Sequence, residues 1–125
     1  MATLQGFTLR RLLPAIASTT TASGSAVDLA TTVHTLGRQM KAFLDVGAIT
    51  TAGTLDVKMQ EDTTSGFTAA ADISGATFTQ VTDTTTSEEI HFRATKRYVR
   101  AVATFGAATN GYTFGVYLLT EQRVK

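Results

Sequence analysis

Leu55-Asp56-Val57-Lys58-Met59-Gln60 alternates apolar and polar side chains without a break. In an extended chain this period of two puts Leu55, Val57 and Met59 on one face and Asp56, Lys58 and Gln60 on the other. That is a strand with one buried face. Glu61-Asp62-Thr63-Thr64-Ser65-Gly66 follows as a polar loop and ends it.

The pattern repeats on both sides. Towards the N-terminus, Met40, Ala42, Leu44 and Val46 alternate with Gln39, Lys41, Phe43 and Asp45. Leu36, Met40, Phe43 and Leu44 also match a helical face, but Gly37 inside the segment and Gly47 after it favour a strand. Val27 and Leu29 predict a short strand further back. Towards the C-terminus a strand is predicted from Ala76 to Thr82, after a turn at Ser74-Gly75, with a polar loop from Asp83 to Ser87. Ile90, Phe92 and Ala94 then alternate with His91, Arg93 and Thr95. The apolar parity next changes to the odd positions Val99, Ala101, Ala103 and Phe105. A strand cannot change its buried face without interruption, so a turn or bulge is predicted near Lys96-Arg97. Asn110-Gly111 has the composition of a tight hairpin turn into a last strand, Tyr112 to Thr120. That strand is apolar on both parities, which predicts a central position or a covered outer face.

About seven short strands in 125 residues predict an all-β chain and a single β-sandwich, jelly-roll or Ig-like; the periodicity does not choose between these topologies. The composition agrees: 25 residues are threonine, which is β-branched and suits a pleated half-exposed surface. A chain of this length buries roughly two-thirds of its extended surface, enough for a core without staples. With no cysteine, disulfides, Cys-based zinc sites and thiol chemistry are excluded. A net charge of +1 argues against nucleic acid or an anionic membrane as a general partner. No apolar run approaches the roughly 18 residues of a membrane-spanning helix.

Residues 1–25 differ from the rest and are expected to form an extended N-terminal arm or linker, with the sandwich over 26–125. They contain no acid, two arginines and the tract Ser18-Thr19-Thr20-Thr21-Ala22-Ser23-Gly24-Ser25, too polar to build a core. Leu4, Phe7, Leu9, Leu12, Leu13 and Ile16 precede it and are too apolar to stay in water. They either pack back as an edge strand or dock on a neighbouring subunit; Arg10 and Arg11 supply charge for the second. Arg10-Arg11 before Leu12-Leu13-Pro14-Ala15-Ile16-Ala17 imitates a secretory signal, but six residues interrupted by proline fall short of its apolar region.

Catalysis requires groups that converge. His34 and His91 are isolated in the sequence, which predicts no metal site and no cofactor. Glu88 and Glu89 are neighbours on a strand, point to opposite faces, and make a poor acid–base pair. Asp56, Glu61 and Asp62 lack the ligand spacing of a calcium loop. No serine sits in a nucleophile elbow. Arg93, Lys96, Arg97 and Arg100 cluster around Tyr98, but the parity change divides them between faces, and two of them are expected to pair with Glu88 and Glu89. The chain is therefore expected not to be an enzyme.

Gly53-Thr54-Leu55-Asp56-Val57-Lys58-Met59-Gln60-Glu61-Asp62, Phe67-Thr68 and Ile73-Ser74-Gly75-Ala76-Thr77-Phe78-Thr79 resemble stretches of small virion proteins of tailed bacteriophages. Lys96-Arg97-Tyr98-Val99-Arg100-Ala101-Val102 and Phe114-Gly115-Val116-Tyr117-Leu118-Leu119 do so too. The resemblance spans about residues 26–120 and is carried by strand and turn patterns. It implies a capsid decoration or cement subunit, made in the host cytoplasm and located on the capsid surface of the virion. The implied partners are the major capsid protein and neighbouring copies in a homo-oligomer. The arm residues Leu4, Phe7, Leu9, Arg10, Arg11, Leu12 and Leu13 are the candidates for that attachment.

The competing expectation is a carbohydrate- or receptor-binding sandwich module of a virion fibre or tail. Sugar platforms display exposed Trp and Tyr on one sheet face. This chain has no Trp, and Tyr98, Tyr112 and Tyr117 lie in or beside apolar strands, which weighs against it.

Overall fold

The computed structural model describes residues 7–18, 22–29, 39–49, 53–82, 85–106 and 112–121. Their regular elements are all strands: β1 (Phe7–Ser18), β2 (Ala22–Ser23), β3 (Val27–Asp28), β4 (Gln39–Ile49), β5 (Thr54–Asp62), β6 (Ala71–Thr77), β7 (Thr86–Arg93), β8 (Tyr98–Gly106) and β9 (Tyr112–Glu121). The first sheet has the order β1-β9-β4-β7. The second has the order β2-β8-β5-β6, with β3 also on β8.

This order defines a jelly roll. Laid out as one ribbon, the chain pairs β5 with β6, β4 with β7, β3 and β2 with β8, and β1 with β9, each antiparallel. Curling that ribbon brings β9 beside β4 and β8 beside β5, which completes the two sheets. β2 and β3 act as one interrupted strand along β8.

The core lies between the sheets and has the predicted parities. Met40, Ala42, Leu44 and Val46 on β4 face Leu55, Val57 and Met59 on β5, all buried. Val99, Ala101 and Ala103 on β8 and Phe114, Val116 and Leu118 on β9 complete it. Each large apolar side chain so buried contributes about 1.5–3 kcal/mol. The parity change near Lys96-Arg97 is the crossing from β7 in the first sheet to β8 in the second. The two-sided apolar pattern of β9 reflects its place between β1 and β4.

Three expectations are corrected. The chain does not turn at Ser74-Gly75 before a strand over 76–82; β6 spans Ala71–Thr77 and Ser74-Gly75 lies inside it. Lys58 pairs with Thr77 and Gln60 with Asp72, so four residues of β6 oppose one of β5 in a wide bulge. Gly75 takes φ +77°, and Ile73 and Ala76 are both buried across the break. Backbone hydrogen bonds hold the next segment to β5: the Phe78 N–H donates to the Val57 carbonyl, and Leu55 and Val81 exchange N–H and carbonyl, all at 2.9 Å. Second, β8 and β9 belong to different sheets and are not paired as the two strands of a hairpin; Asn110-Gly111 lies outside the described residues.

The third concerns the N-terminal segment. β1 pairs with β9 from Phe7–Glu121 to Ser18–Tyr112, and Leu12 is buried in the core. Of the two expectations, the edge strand is the one that forms, and the fold crosses the boundary placed at residue 25. The polar tract follows because its backbone is satisfied: Ala22 and Ser23 pair with Ala103 and Val102, and the Gly24 N–H donates to the Ala101 carbonyl at 2.8 Å. Pro14 fits because β1 is an edge and its register slips between Leu13 and Ile16, where an N–H is not required.

Two buried carboxylates fix the ends of the second sheet. Asp62 accepts the backbone N–H groups of Thr63, Thr64 and Ala69, folding the loop after β5 around itself. Glu61 binds Thr95 and Lys96 in the crossing between sheets. Within the loop Phe67 has φ +52°, unusual for a bulky residue, and its buried ring lies 4.4 Å below the Arg100 guanidinium.

Candidate functional site

The outer face of the first sheet is built from the odd positions of β4, β7 and β9. The register places Arg11, Tyr117, Phe43 and Glu89 in one row across all four strands. On one side of this row, Lys41 stands opposite Leu119 and His91. On the other, Asp45 stands opposite Gly115 and Ser87. The row crosses a shallow cleft of about 360 Å³, lined by Phe43, Leu44, Asp45, Ser87, Glu88, Glu89 and Tyr117. Leu44 is buried, and Glu88 is turned to Thr79, accepting from its N–H at 2.9 Å and its hydroxyl at 3.2 Å. Phe43, Asp45, Ser87, Glu89 and Tyr117 therefore supply its outward side chains.

Gly115 determines how Tyr117 lies. A Cβ at Gly115 would stand 3.0 Å from the Tyr117 hydroxyl and 3.2–3.3 Å from two ring carbons. The ring thus lies along its own strand over the glycine, beside the half-buried Phe43 ring. Its hydroxyl end reaches the Gly115–Asp45 pair. The polar groups are held in place. Ser87 Oγ donates to Asp45 Oδ1 at 2.9 Å, and Glu89 Oε2 lies 3.1 Å from His91 Nε2 and 3.6 Å from Lys41 Nζ. An aromatic floor with fixed acceptors and donors can bind a ligand; nothing in it forms a nucleophile–base pair.

Of the residues proposed for attachment, Arg11 is exposed in the row just described and Leu12 is a core residue, unavailable to a neighbour without opening the sandwich. Phe7, Leu9, Arg10 and Leu13 are placed by their backbones on the edge strand β1. Leu4 and His34 lie outside the described residues. His91 is exposed, as its alternation predicts. The basic cluster disperses. Arg97 makes a bidentate pair with Asp28 at 2.8 and 2.9 Å, and Arg100 binds the Gln60 side-chain carbonyl at 2.9 and 3.1 Å. Neither of these two pairs with Glu88 or Glu89, because the crossing carries them to the second sheet. Asp56 is held by Gln80, apart from Glu61 and Asp62. Among the described residues no three His, Cys, Asp or Glu side chains are gathered to hold a metal.

Sequence reasoning missed the Phe43–Tyr117 pair, although its signals were present. Phe43 stands among the polar, outward positions of β4, and Tyr117 follows Gly115 on the outward parity of β9. Tyr117 being in an apolar strand does not put its ring in the core.

Compared with known proteins, the chain matches no family model and no curated protein. Among solved structures it is similar to the CBM22-1 xylan-binding domain from Paenibacillus barcinonensis Xyn10C. That similarity has a TM-score of 0.48 and 13% identity over 100% of this chain and 91% of that one. So distant a likeness carries no functional argument. The chain is an all-β jelly-roll sandwich.

Proposed function

We propose that the chain is a non-catalytic structural protein of a bacteriophage virion, a decoration subunit that binds the outside of the capsid. One observation carries the reading: stretches that resemble phage virion proteins meet each other in space. Gln60, Glu61 and Asp62 stand opposite Arg100, Val99 and Tyr98 along β5 and β8. Gln60 is bound by Arg100, Arg100 covers Phe67, and Glu61 caps Lys96. A rigid sandwich of near-neutral charge suits a subunit that acts by many weak, repeated contacts on a lattice.

Cosedimentation of the purified chain with undecorated shells tests this. Saturable binding at a fixed ratio to the major capsid protein, with shells that survive higher temperature, is expected. Shells that pellet without the chain at saturating concentration would overturn it.

A second reading, a carbohydrate- or receptor-binding module, is favoured by the cleft over Phe43 and Tyr117. The two are compatible, since the outside of a virion meets the host surface.

A further inference from the structure

We infer that the cleft on the outer face of the first sheet binds a neutral glycan, with the Tyr117 and Phe43 rings as its platform and Asp45, Ser87 and Glu89 as its polar rim. The inference rests on the second reading for its general class and is independent of capsid attachment.

The ligand class follows from the floor, the rim and the charge. A pyranose ring presents a face of polarised C–H bonds and an edge of hydroxyls. The negative face of an aromatic ring attracts the first, and fixed carboxylates and hydroxyls bind the second. Tyr117 lies along β9 over Gly115, and its half-buried ring lines the cleft, where it can meet the C–H face of a sugar. Asp45 stands on the adjacent row and Glu89 in the same row beyond Phe43, each already oriented by a neighbour, so little side-chain freedom is lost on binding. The cleft's volume, about 360 Å³, is at the small end of ligand sites and suits a short glycan segment laid across the strands.

Charge separates a glycan from a cationic peptide or amine, which an aromatic floor with carboxylates could also attract. Across the row and its flanks, Asp45 and Glu89 are balanced by Arg11 and Lys41, with Lys41 itself 3.6 Å from Glu89. With Glu88 engaged by Thr79 at the cleft wall, the two outward carboxylates are matched by two cations, so the net pull of the face on a charged partner is small. Hydroxyl groups, which both donate and accept, can use both signs.

The test is a two-dimensional NMR titration of the isotope-labelled chain with short oligosaccharides of β-glucan, xylan, galactan and chitin. A lysine-rich peptide is titrated in parallel. The expected result is that at least one oligosaccharide perturbs Phe43, Asp45, Ser87 and Tyr117 on β4, β7 and β9. Tyr117→Ala should weaken that binding by about tenfold or more, and the exposed Asp45→Asn, which keeps the floor, by several-fold. The Asp45 variant keeps the test valid should Tyr117→Ala unfold. No perturbation by any oligosaccharide would overturn the inference. Perturbation elsewhere would overturn this site while sparing a carbohydrate-binding role, and a response to the peptide alone would point to a protein receptor.

Discussion

Glu61 at the end of β5 holds Thr95, in the crossing between the sheets, by two hydrogen bonds: Oε2 accepts its N–H and Oε1 its hydroxyl, both at 2.8 Å. One buried carboxylate thus joins the second sheet to the strand arriving from the first. Glu61→Ala leaves the Thr95 and Lys96 N–H groups without this acceptor and should cost about 2 kcal/mol in urea unfolding. In a double-mutant cycle with Thr95→Val, a coupling of about 1 kcal/mol is expected. Additive effects would show that the two side chains do not act as a pair.

Asp62 gives the fold an acid-sensitive loop. The Ala69 N–H, followed by those of Thr64 and Thr63, holds its carboxyl below the ordinary 3.8 against the opposing effect of burial. With the folded value depressed, its contribution is complete above about pH 5 and is lost as the pH falls below 3.8 and through the folded value. Asp62→Asn should melt several degrees lower at pH 7, and its deficit should shrink between pH 5 and pH 3. A deficit constant with pH would contradict the role of the charge.

Gly75 tests the bulge in β6. Its φ is +77° and a Cβ there meets nothing within 4 Å, so any penalty is conformational. Gly75→Val should destabilise the domain by about 1 kcal/mol or more, and Gly75→Asn by less, since Asn tolerates the left-handed region. Equal melting temperatures for all three would remove the positive φ from the account.

Deleting residues 1–17 removes nearly all of β1. It exposes the backbone edge of β9 and takes Leu12 from the core, so the truncated chain should lose its cooperative thermal transition. A truncated chain that melts like the full one would restore the segment as a separable arm.

Much of the fold was legible because sheet burial writes itself at a period of two. Leu55, Val57 and Met59 had one reading, and all are buried. The jelly-roll order was not legible, since nothing in β8 or β9 states that the strands belong to opposite sheets. Asn110-Gly111 misled for that reason: turn chemistry is local, whereas strand pairing is decided by which faces must be covered. The arm misled because polar side chains were taken to mean an unpaired backbone, while Ser23 and Gly24 lie on β8 regardless of what they carry outward. The cleft was half legible. Phe43 stood at an outward position, but its neighbour Tyr117 is five strands further on in sequence, and only the β4–β9 register brings them together.

Cryo-electron microscopy of the virions on which the proposed decoration subunit would sit tests the proposal most directly. The account predicts density for a two-sheet sandwich on the outside of the shell, repeated at a fixed ratio to the major capsid protein. A shell bare of such density, or the chain found only in the tail or missing from purified particles, would contradict it.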